Sequence, residues 1–387
     1  MSEGAKSTIG KGLEGVELCE TMIAEVDGKA GRLTIQGYDI HELAGKVTFD
    51  EEAYLLWHGK LPNRVEYEEL IAEMSHARSL PGATIDILKA TAQSASGMHA
   101  LRMAAATLSE GDAEVDSISI PASRRRAARI LARMPVIVAA YWRLRNGLSI
   151  VEPPAGAGVA ESFLHMLHGE PPDPARVEAL DAYLVAVSEH GMNASTFAGR
   201  VVISTDSDMI SALTAAVCAL KGPKHGGVPG PVLDMMHAIG TPDQADTWIR
   251  KHLSDGKKVM GFGHRIYKVR DPRAEVLSDA SFKLIQKGSG DRNLFDLTHA
   301  VEDTTVKVLA EVKPGRELFA NVELYAALIL HTIGIPSEVF TPVFAIGRTA
   351  GWTAHMIEQL LDNRIIRPSA VYAGPKDLRW TPMDERE

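Results

Sequence analysis

The sequence predicts an all-α fold in two domains, with one possible short β-hairpin near the N-terminus. Three observations carry that expectation. Apolar residues recur at 3- and 4-residue spacing almost from end to end, strand-like alternation is confined to residues 22–35, and 387 residues exceed what one hydrophobic core usually organises. The hairpin comes first: residues 22–27 and 31–35 alternate around the turn Gly28-Lys29-Ala30-Gly31. After Asp50, the stretch EEAYLLWHGKLP sets Ala53, Leu56 and Trp57 on one helical face, and Leu61-Pro62 stops it. Helical patterns continue over 66–78, 83–95, 124–146, 159–167, 175–190, 206–220, 231–239, 243–254, 271–286, 295–311, 321–333 and 341–361. No fixed-period repeat supports a solenoid. The Gly/Pro-rich segments 222–231, 256–263 and 313–316 are where the chain is expected to cross between domains. A large helical domain is therefore expected to comprise residues 1–226 and 336–387, with a small domain over 227–335.

Composition narrows the function classes. Hydrophobic residues at 45% and charged residues at 24% describe an ordinary globular chain and exclude disordered and collagen-like classes. With 41 Lys+Arg against 50 Asp+Glu, the net charge of −9 repels nucleic acid, so no nucleic-acid partner is expected. Any anionic ligand must then meet a local basic cluster. The basic stretch SRRRAARILAR, with Arg124, Arg125, Arg126, Arg129 and Arg133, is read as a solvated helix face. Cys19 and Cys218 stand in no C-x-x-C pattern, which suits a reduced, cytoplasmic protein. The longest apolar runs, near 134–142 and 326–330, fall short of the roughly 20 residues that span a bilayer. Residues 1–12 are polar and carry no secretory apolar stretch.

Five segments concentrate His, Gly, Arg and acid beyond what packing demands: SEHGMNASTFAGR (188–200), GPKHGGVPGP (222–231), GFGHRIYKVRDPRA (261–274), NVELY (321–325), and FAIGRTAGW with RIIRP (344–352, 364–368). His225 lies between glycine pairs just before a helix opened by Pro229 and Pro231. A positive helix end disfavours imidazolium and leaves a neutral hydrogen-bond donor. His264 follows Gly261 and Gly263 and is crowded by Arg265, Lys268, Arg270 and Arg273, a combination suited to a polycarboxylate or phosphate. Asn321 is a favourable N-cap, so Glu323 falls at the second helical position, where the helix end favours the carboxylate. Phe344 stands one helical turn before Arg348 and supplies an apolar wall; Arg367 completes the set. His165 and His168 share a helix face without a third ligand, and no metal site is expected.

Taken together, these segments resemble the citrate synthase family over nearly the whole chain, from GLEGVELCET and GKLP to FTPVFAIGRTAGWTAHMIEQ and RPSAVYAG. The resemblance implies a multi-helical large-plus-small-domain enzyme that condenses acetyl-CoA with oxaloacetate and water to give citrate and CoA. It implies no metal and no cofactor, acetyl-CoA being a co-substrate. By the same resemblance His225 polarises the thioester carbonyl, His264 hydrogen-bonds the oxaloacetate ketone, and Glu323 is the base. His190 is a further substrate contact, while Arg273, Arg348 and Arg367 hold the carboxylates. Arg367 would reach the site of the neighbouring subunit in a homodimer. Lys268, with Arg265 and Lys257 as further candidates, would meet the CoA phosphates.

Three positions depart from the family pattern. Glu323 stands where the family has Asp in N-x-D-x-Y, VPGP follows H-G-G in place of an A-N-E type, and Glu189-His190-Gly191 replaces D-H-E. A carboxylate on a longer arm is the right chemistry, although a displacement near 1 Å can lower a rate on the order of 100-fold. A 2-methylcitrate synthase using propionyl-CoA is the nearest rival, because one methylene is worth only about 1–3 kcal/mol of discrimination. The rival from another class is a family-like binding or regulatory protein without catalysis, for which Glu323 is the only support.

Overall fold

The computed structural model describes residues 10–13, 15–226, 229–315 and 318–386. Residues 1–9 of the polar N-terminal stretch, Gly227 of the GPKHGG motif and position 316 of the 313–316 segment lie outside the described residues.

Strands β1 (Ala24–Asp27), β2 (Arg32–Ile35) and β3 (Tyr38–Asp39) form an antiparallel meander in which Ala24 pairs with Ile35 and Thr34 with Asp39. Asp27 shapes the first turn by accepting the Lys29 and Ala30 backbone N–H groups at 2.9 Å. The alternation buries Leu33 and Ile35 completely. The expected hairpin is present; β3 extends it through Gln36 and Gly37, both at positive φ.

The remaining order is helical. Helices α1 (Ile40–Leu43), α2 (Phe49–His58), α3 (Arg64–Ala77), α4 (Gly82–Thr91) and α5 (Gly97–Ala106) lead to the long α6 (Ile120–Arg145). Then come α7 (Val159–His168), α8 (Pro174–Ser188), α9 (Ala194–Ile203) and α10 (Met209–Leu220). The chain continues through α11 (Pro229–Ile239), α12 (Ala245–Ser254), α13 (Pro272–Gln286), α14 (Arg292–Val312), α15 (Val322–Thr332) and α16 (Phe340–Leu361). All but α1, α5 and α9 follow the apolar periodicity of the sequence. Local signals fix many of the starts: Thr48 and Asn63 form capping boxes with Glu51 and Glu66, and Asp173-Pro174 and Asp271-Pro272 open α8 and α13.

Helix α16 runs through the core against α2, α6, α8, α9 and α10. Its approach to α8 requires glycine, since a Cβ on Gly351 would stand 2.3 Å from the Ser188 carbonyl oxygen. The indole N–H of buried Trp57 donates to Thr353 Oγ1 at 2.8 Å and pins α2 to the same helix. One expectation is corrected on α6. Its basic stretch is a solvated face only in part: Arg125 is exposed, but Arg126 is buried and bonded to Asp112 Oδ2 at 3.0 Å, and the half-buried Arg133 donates from Nε to the Ala77 carbonyl at 2.9 Å. The 112–117 segment folds over Arg126, whose guanidinium also donates to the Ser117 carbonyl at 3.0 Å. Among the described residues no helix is long and apolar enough to cross a membrane, and both cysteines are exposed free thiols.

Candidate active site

Backbone pairing joins two of the motif segments. Gly263 N–H donates to the Phe319 carbonyl at 2.8 Å, Asn321 N–H to the Gly261 carbonyl at 2.9 Å, and the Asn321 side-chain amide to the Gly263 carbonyl at 3.0 Å. Gly261 and Gly263 sit at φ of 80° and 86°, a conformation that glycine adopts without strain. This short ladder sets His264 beside the first turn of α15, where Asn321 caps the Glu323 N–H at 3.0 Å. The hairpin turn closes the other side. Lys268 N–H donates to the Gly28 carbonyl at 2.8 Å, and a Cβ on Gly28 would collide with the Ile266 carbonyl oxygen at 2.3 Å.

Each histidine is held in a defined state. His264 Nδ1 accepts the N–H groups of Ile266 and Tyr267, both at 3.1 Å, so the neutral ring carries its proton on Nε2. Burial, then the Arg273 guanidinium, lowers its pKa to about 4. His190 packs edge-on to His264 with ring centroids 5.3 Å apart, and its Nε2 is hydrogen-bonded to the Tyr267 hydroxyl at 3.2 Å. Burial, with Arg273 and Arg348, pushes its pKa well below the usual histidine range. At His225, Nε2 accepts the Ser195 N–H at 3.3 Å and lies 2.8 Å from the Ser195 hydroxyl, which places the ring proton on Nδ1. Trp352 Nε1 donates to that hydroxyl at 3.0 Å and fixes it. The neutral state expected of His225 is thus present with a different cause: burial and then Arg348 bring its pKa to about 4.

Two arginines are buried under different regimes. Arg273 is paired side-on with Asp271, Nε to Oδ1 at 3.0 Å and a terminal nitrogen to Oδ2 at 2.7 Å. Asp271 also caps α13 and accepts the Val322 N–H at 3.2 Å, tying the starts of α13 and α15 together. Arg348 is 2% exposed and stacks over Phe344, its guanidinium carbon 4.9 Å from the ring centre. Its Nε and one terminal nitrogen are buried with no hydrogen-bond partner. Burial lowers its pKa to about 10 against the opposing influence of Glu189. Glu189, fully buried, is bonded to His355 at 3.1 Å and keeps its carboxylate below the ordinary range although burial opposes this.

Glu323 departs from expectation. It occupies the second position of α15, but burial outweighs the helix end and raises its carboxyl to about 7; Arg273 opposes the rise and Asp271 adds to it. At neutral pH such a group is a far stronger base than an exposed glutamate.

His190, His225, His264, Arg273, Glu323, Phe344 and Arg348 therefore share one neighbourhood, linked by the contacts and charge effects above. Lys268 and Arg265 lie exposed on the His264 loop, and Lys257 is exposed beyond α12. Arg367 is exposed after α16 and is not brought to this cluster. Ser195, Trp352, Asp271 and Tyr267 receive no role from their sequence motifs and Glu189 figures only as a departure from the family pattern, yet these residues hold the others. Asp271 had a readable signal, an Asp-Pro helix start; the rest act across long sequence separations. Among the described residues no group of three or more His, Cys, Asp or Glu side chains is arranged to hold a metal.

This fold and site join neutral histidines, a buried guanidinium with unpartnered nitrogens and a carboxyl poised near neutrality, a set able to carry acid–base chemistry. The chain belongs to the citrate synthase family: the family model for the citrate synthase C-terminal domain matches residues 12–369. It is 40% identical to citrate synthase 2 of Bacillus subtilis over 380 residues, covering 98% of this chain and 100% of that protein. It is 36% identical to the 2-methylcitrate synthase of Mycobacterium tuberculosis over 366 residues, covering 95% of this chain and 91% of that protein. Among solved structures, citrate synthase from Pyrobaculum aerophilum superposes with a TM-score of 0.88 at 37% identity, covering 97% of this chain and 95% of that one. The ternary complex of Thermoplasma acidophilum citrate synthase with carboxymethyl coenzyme A and oxaloacetate gives a TM-score of 0.88 at 30% identity, covering 97% and 99%.

The geometry predicts opposite tautomers at the two catalytic candidates. Nitrogen-15 NMR of the imidazoles should show Nε2–H at His264 and Nδ1–H at His225, both neutral down to about pH 5. Titration of either ring near 6.5 would contradict the buried, arginine-flanked setting.

Proposed function

We propose that the chain condenses acetyl-CoA with oxaloacetate and water to give citrate and CoA. The observation that carries this reading is the buried Arg348 guanidinium, two of whose nitrogens lack partners, beside neutral histidine donors and a carboxyl poised near neutrality. Arg348 and the outer edge of Arg273 receive the substrate carboxylates. Glu323 takes a proton from the thioester methyl group, while His225 Nδ1–H stabilises charge developing on the thioester oxygen. The resulting carbon attacks the oxaloacetate ketone, whose oxygen takes the His264 Nε2 proton as it becomes the hydroxyl, and the proton left on Glu323 returns to the ring through solvent. Water then cleaves the citryl thioester and releases the CoA thiol. His190 supports the ketone side, Phe344 walls the pocket, and Lys268, Arg265 and Lys257 meet the CoA phosphates from the surface. No metal or cofactor enters these steps.

Charge counting supports a second subunit. Arg273 is paired with Asp271, so among the described residues of the cluster Arg348, only partly compensated by Glu189, is the guanidinium left without a hydrogen-bonded carboxylate to meet a dianionic substrate. The exposed Arg367 is suited to supply the missing charge in trans within a homodimer, on a C-terminal segment that leaves Val371, Tyr372 and Trp380 uncovered. A large domain of 1–226 and 336–387 and a small domain of 227–335, closing over the dicarboxylate, would exclude water until condensation is complete. The charge balance, the free thiols and the bacterial and archaeal relatives favour a cytoplasmic setting without nucleic-acid or membrane partners.

Thiol release measured with oxaloacetate plus acetyl-CoA, and separately propionyl-CoA, tests the reaction and its acyl preference. Glu323→Gln should lower kcat on the order of 1,000-fold, and Glu323→Asp, with its shorter arm, on the order of 100-fold. The wild-type rate should rise with pH through about 7 as Glu323 loses its proton. No thiol release from either ester, or full activity of Glu323→Gln, would refute the assignment. Subunit mixing tests Arg367: inactive Arg367→Gln and Glu323→Gln dimers, exchanged with each other, should regain about a quarter of wild-type activity through mixed dimers with one intact site. Failure to regain activity after verified exchange would place Arg367 outside the partner's site.

A further inference from the structure

Glu302 of α14 is a buried carboxylate that takes no part in the proposed steps. Its oxygens accept three hydrogen bonds from two segments of the site. Arg270 Nε donates to Oε1 at 2.6 Å and a terminal Arg270 nitrogen to Oε2 at 2.9 Å, while the Tyr325 hydroxyl donates to Oε2 at 2.5 Å. The Arg270 guanidinium carbon also lies 5.5 Å from the centre of the Tyr325 ring, so the three side chains form one closed set. Burial, and then Glu302, push the Tyr325 hydroxyl up, which keeps it a donor. One turn earlier on α14, His299 is hydrogen-bonded to Ser278 of α13 at 3.1 Å and packs edge-on to the Tyr325 ring, with centroids 5.5 Å apart.

Both donors to Glu302 stand next to the reacting groups. Arg270 ends the His264 loop and precedes Asp271, whose carboxylate pairs with Arg273 and accepts the Val322 N–H. The loop is also held by its backbone, Lys268 N–H on the Gly28 carbonyl and Asp271 N–H on the Ala320 carbonyl at 3.2 Å. Tyr325 lies two residues after Glu323 on α15, and residues two apart on a helix stand on nearly opposite sides. One side of that first turn presents the Glu323 carboxyl, which feels Arg273 and Asp271 at the start of α13 and acts on Tyr183 of α8. The other side is held against α14 through Tyr325. Glu302 thus ties the His264 loop to the back of the turn that carries Glu323.

We propose that Glu302 is a positioning residue for the condensation, holding the Glu323 carboxyl and the His264 ring in register through Tyr325 and Arg270. The inference rests on the reading of Glu323 as the base. Glu302 touches no reacting atom itself. A bidentate guanidinium and a phenol on one carboxylate fix three segments at once, and a misplacement near 1 Å lowers a rate on the order of 100-fold. Loosening of the set admits water to Glu323, whose carboxyl stands at about 7 because it is buried. The titration of Glu323 therefore reports the position of α15.

Carbon-13 NMR titration of the Glu323 carboxyl in the intact protein, assigned by its loss in Glu323→Gln, is read beside thiol-release kinetics. In Glu302→Gln, kcat should fall about 10- to 100-fold while the KM for oxaloacetate stays within about twofold, because Arg348 and Arg273 are untouched. The Glu323 carboxyl should titrate at about pH 6 or below instead of about 7, and the rise of rate with pH should move down with it. Tyr325→Phe removes the hydroxyl and no charge, so the same direction of change there reports displacement and not lost electrostatics. It also decides the matter should Glu302→Gln fail to fold. Arg292→Gln, which breaks an exposed pair with Asp296 on the same helix, is the control and should leave both readouts at wild-type values. Wild-type kcat and wild-type Glu323 titration in both Glu302→Gln and Tyr325→Phe, even with a lowered unfolding temperature, would overturn the proposal and leave Glu302 a residue that serves only the fold. Absence of thiol release from the wild type would refute the condensation reading, whereas the Glu323 titration still decides whether Glu302 positions that carboxyl.

Discussion

One buried guanidinium governs the arrangement of this molecule. Arg348 stands inside α16 at 2% exposure with two nitrogens unpartnered, a state that costs on the order of several kcal/mol unless something compensates. Partial compensation comes from the Phe344 ring beneath it and from the ionised Glu189 behind it. Full compensation requires an anion from outside. Burial chiefly keeps His190 and His225 neutral, and the same positive charge adds to it, after Arg273 at His190, so the group that would hold a substrate carboxylate also contributes to the donor state of the imidazoles. Binding and chemistry thus share one buried, positively charged setting.

Maintaining that charge requires rigid surroundings. Gly351 lets α8 and α16 approach until the Ser188-Glu189 backbone lies against the helix that carries Arg348. Glu189 is held in turn by His355, which Arg200 contacts at 3.0 Å, and Arg200 reaches Glu358 at 2.6 Å. Glu358 accepts the Met22 N–H at 2.8 Å, so a chain of polar contacts, buried at Glu189, His355 and Arg200 and reaching the surface at Met22, runs from the site to the start of the hairpin. The hairpin closes the circuit by docking its turn on the His264 loop. A small sheet anchored in the core by Ile23, Leu33 and Ile35 thereby fixes a catalytic candidate through backbone contacts.

The helices with strong amphipathic periodicity were legible in the sequence, as were the hairpin and the His, Arg and Glu residues of the site. Helix α9, ASTFAGRVVI, was not legible because Thr, Val, Ile and an internal Gly have poor helix propensity; packing against α10 and α16 stabilises it. Helix α1 is a single turn, and α5 starts on glycine without a side-chain cap. The ionisation of Glu323 was misjudged because sequence gives its place on the helix and not its burial. The burial of Arg126 is hidden in the sequence for the same reason. Ser195 and Trp352 escaped notice because their partners lie 30 and 157 residues away along the chain. Spacing along a helix is readable; contact across the fold is not.

The central claim is that Arg348 is kept without partners for substrate and does not serve the fold. The oxaloacetate-induced shift in thermal unfolding of Arg348→Met, compared with wild type, tests it most directly. An unbranched apolar side chain fills the volume and removes the uncompensated charge. The unliganded variant should therefore unfold at the wild-type temperature or above it, and oxaloacetate should no longer raise that temperature. A variant that unfolds well below the wild type yet keeps the full oxaloacetate shift would show that Arg348 supports the structure and that the carboxylate is bound elsewhere.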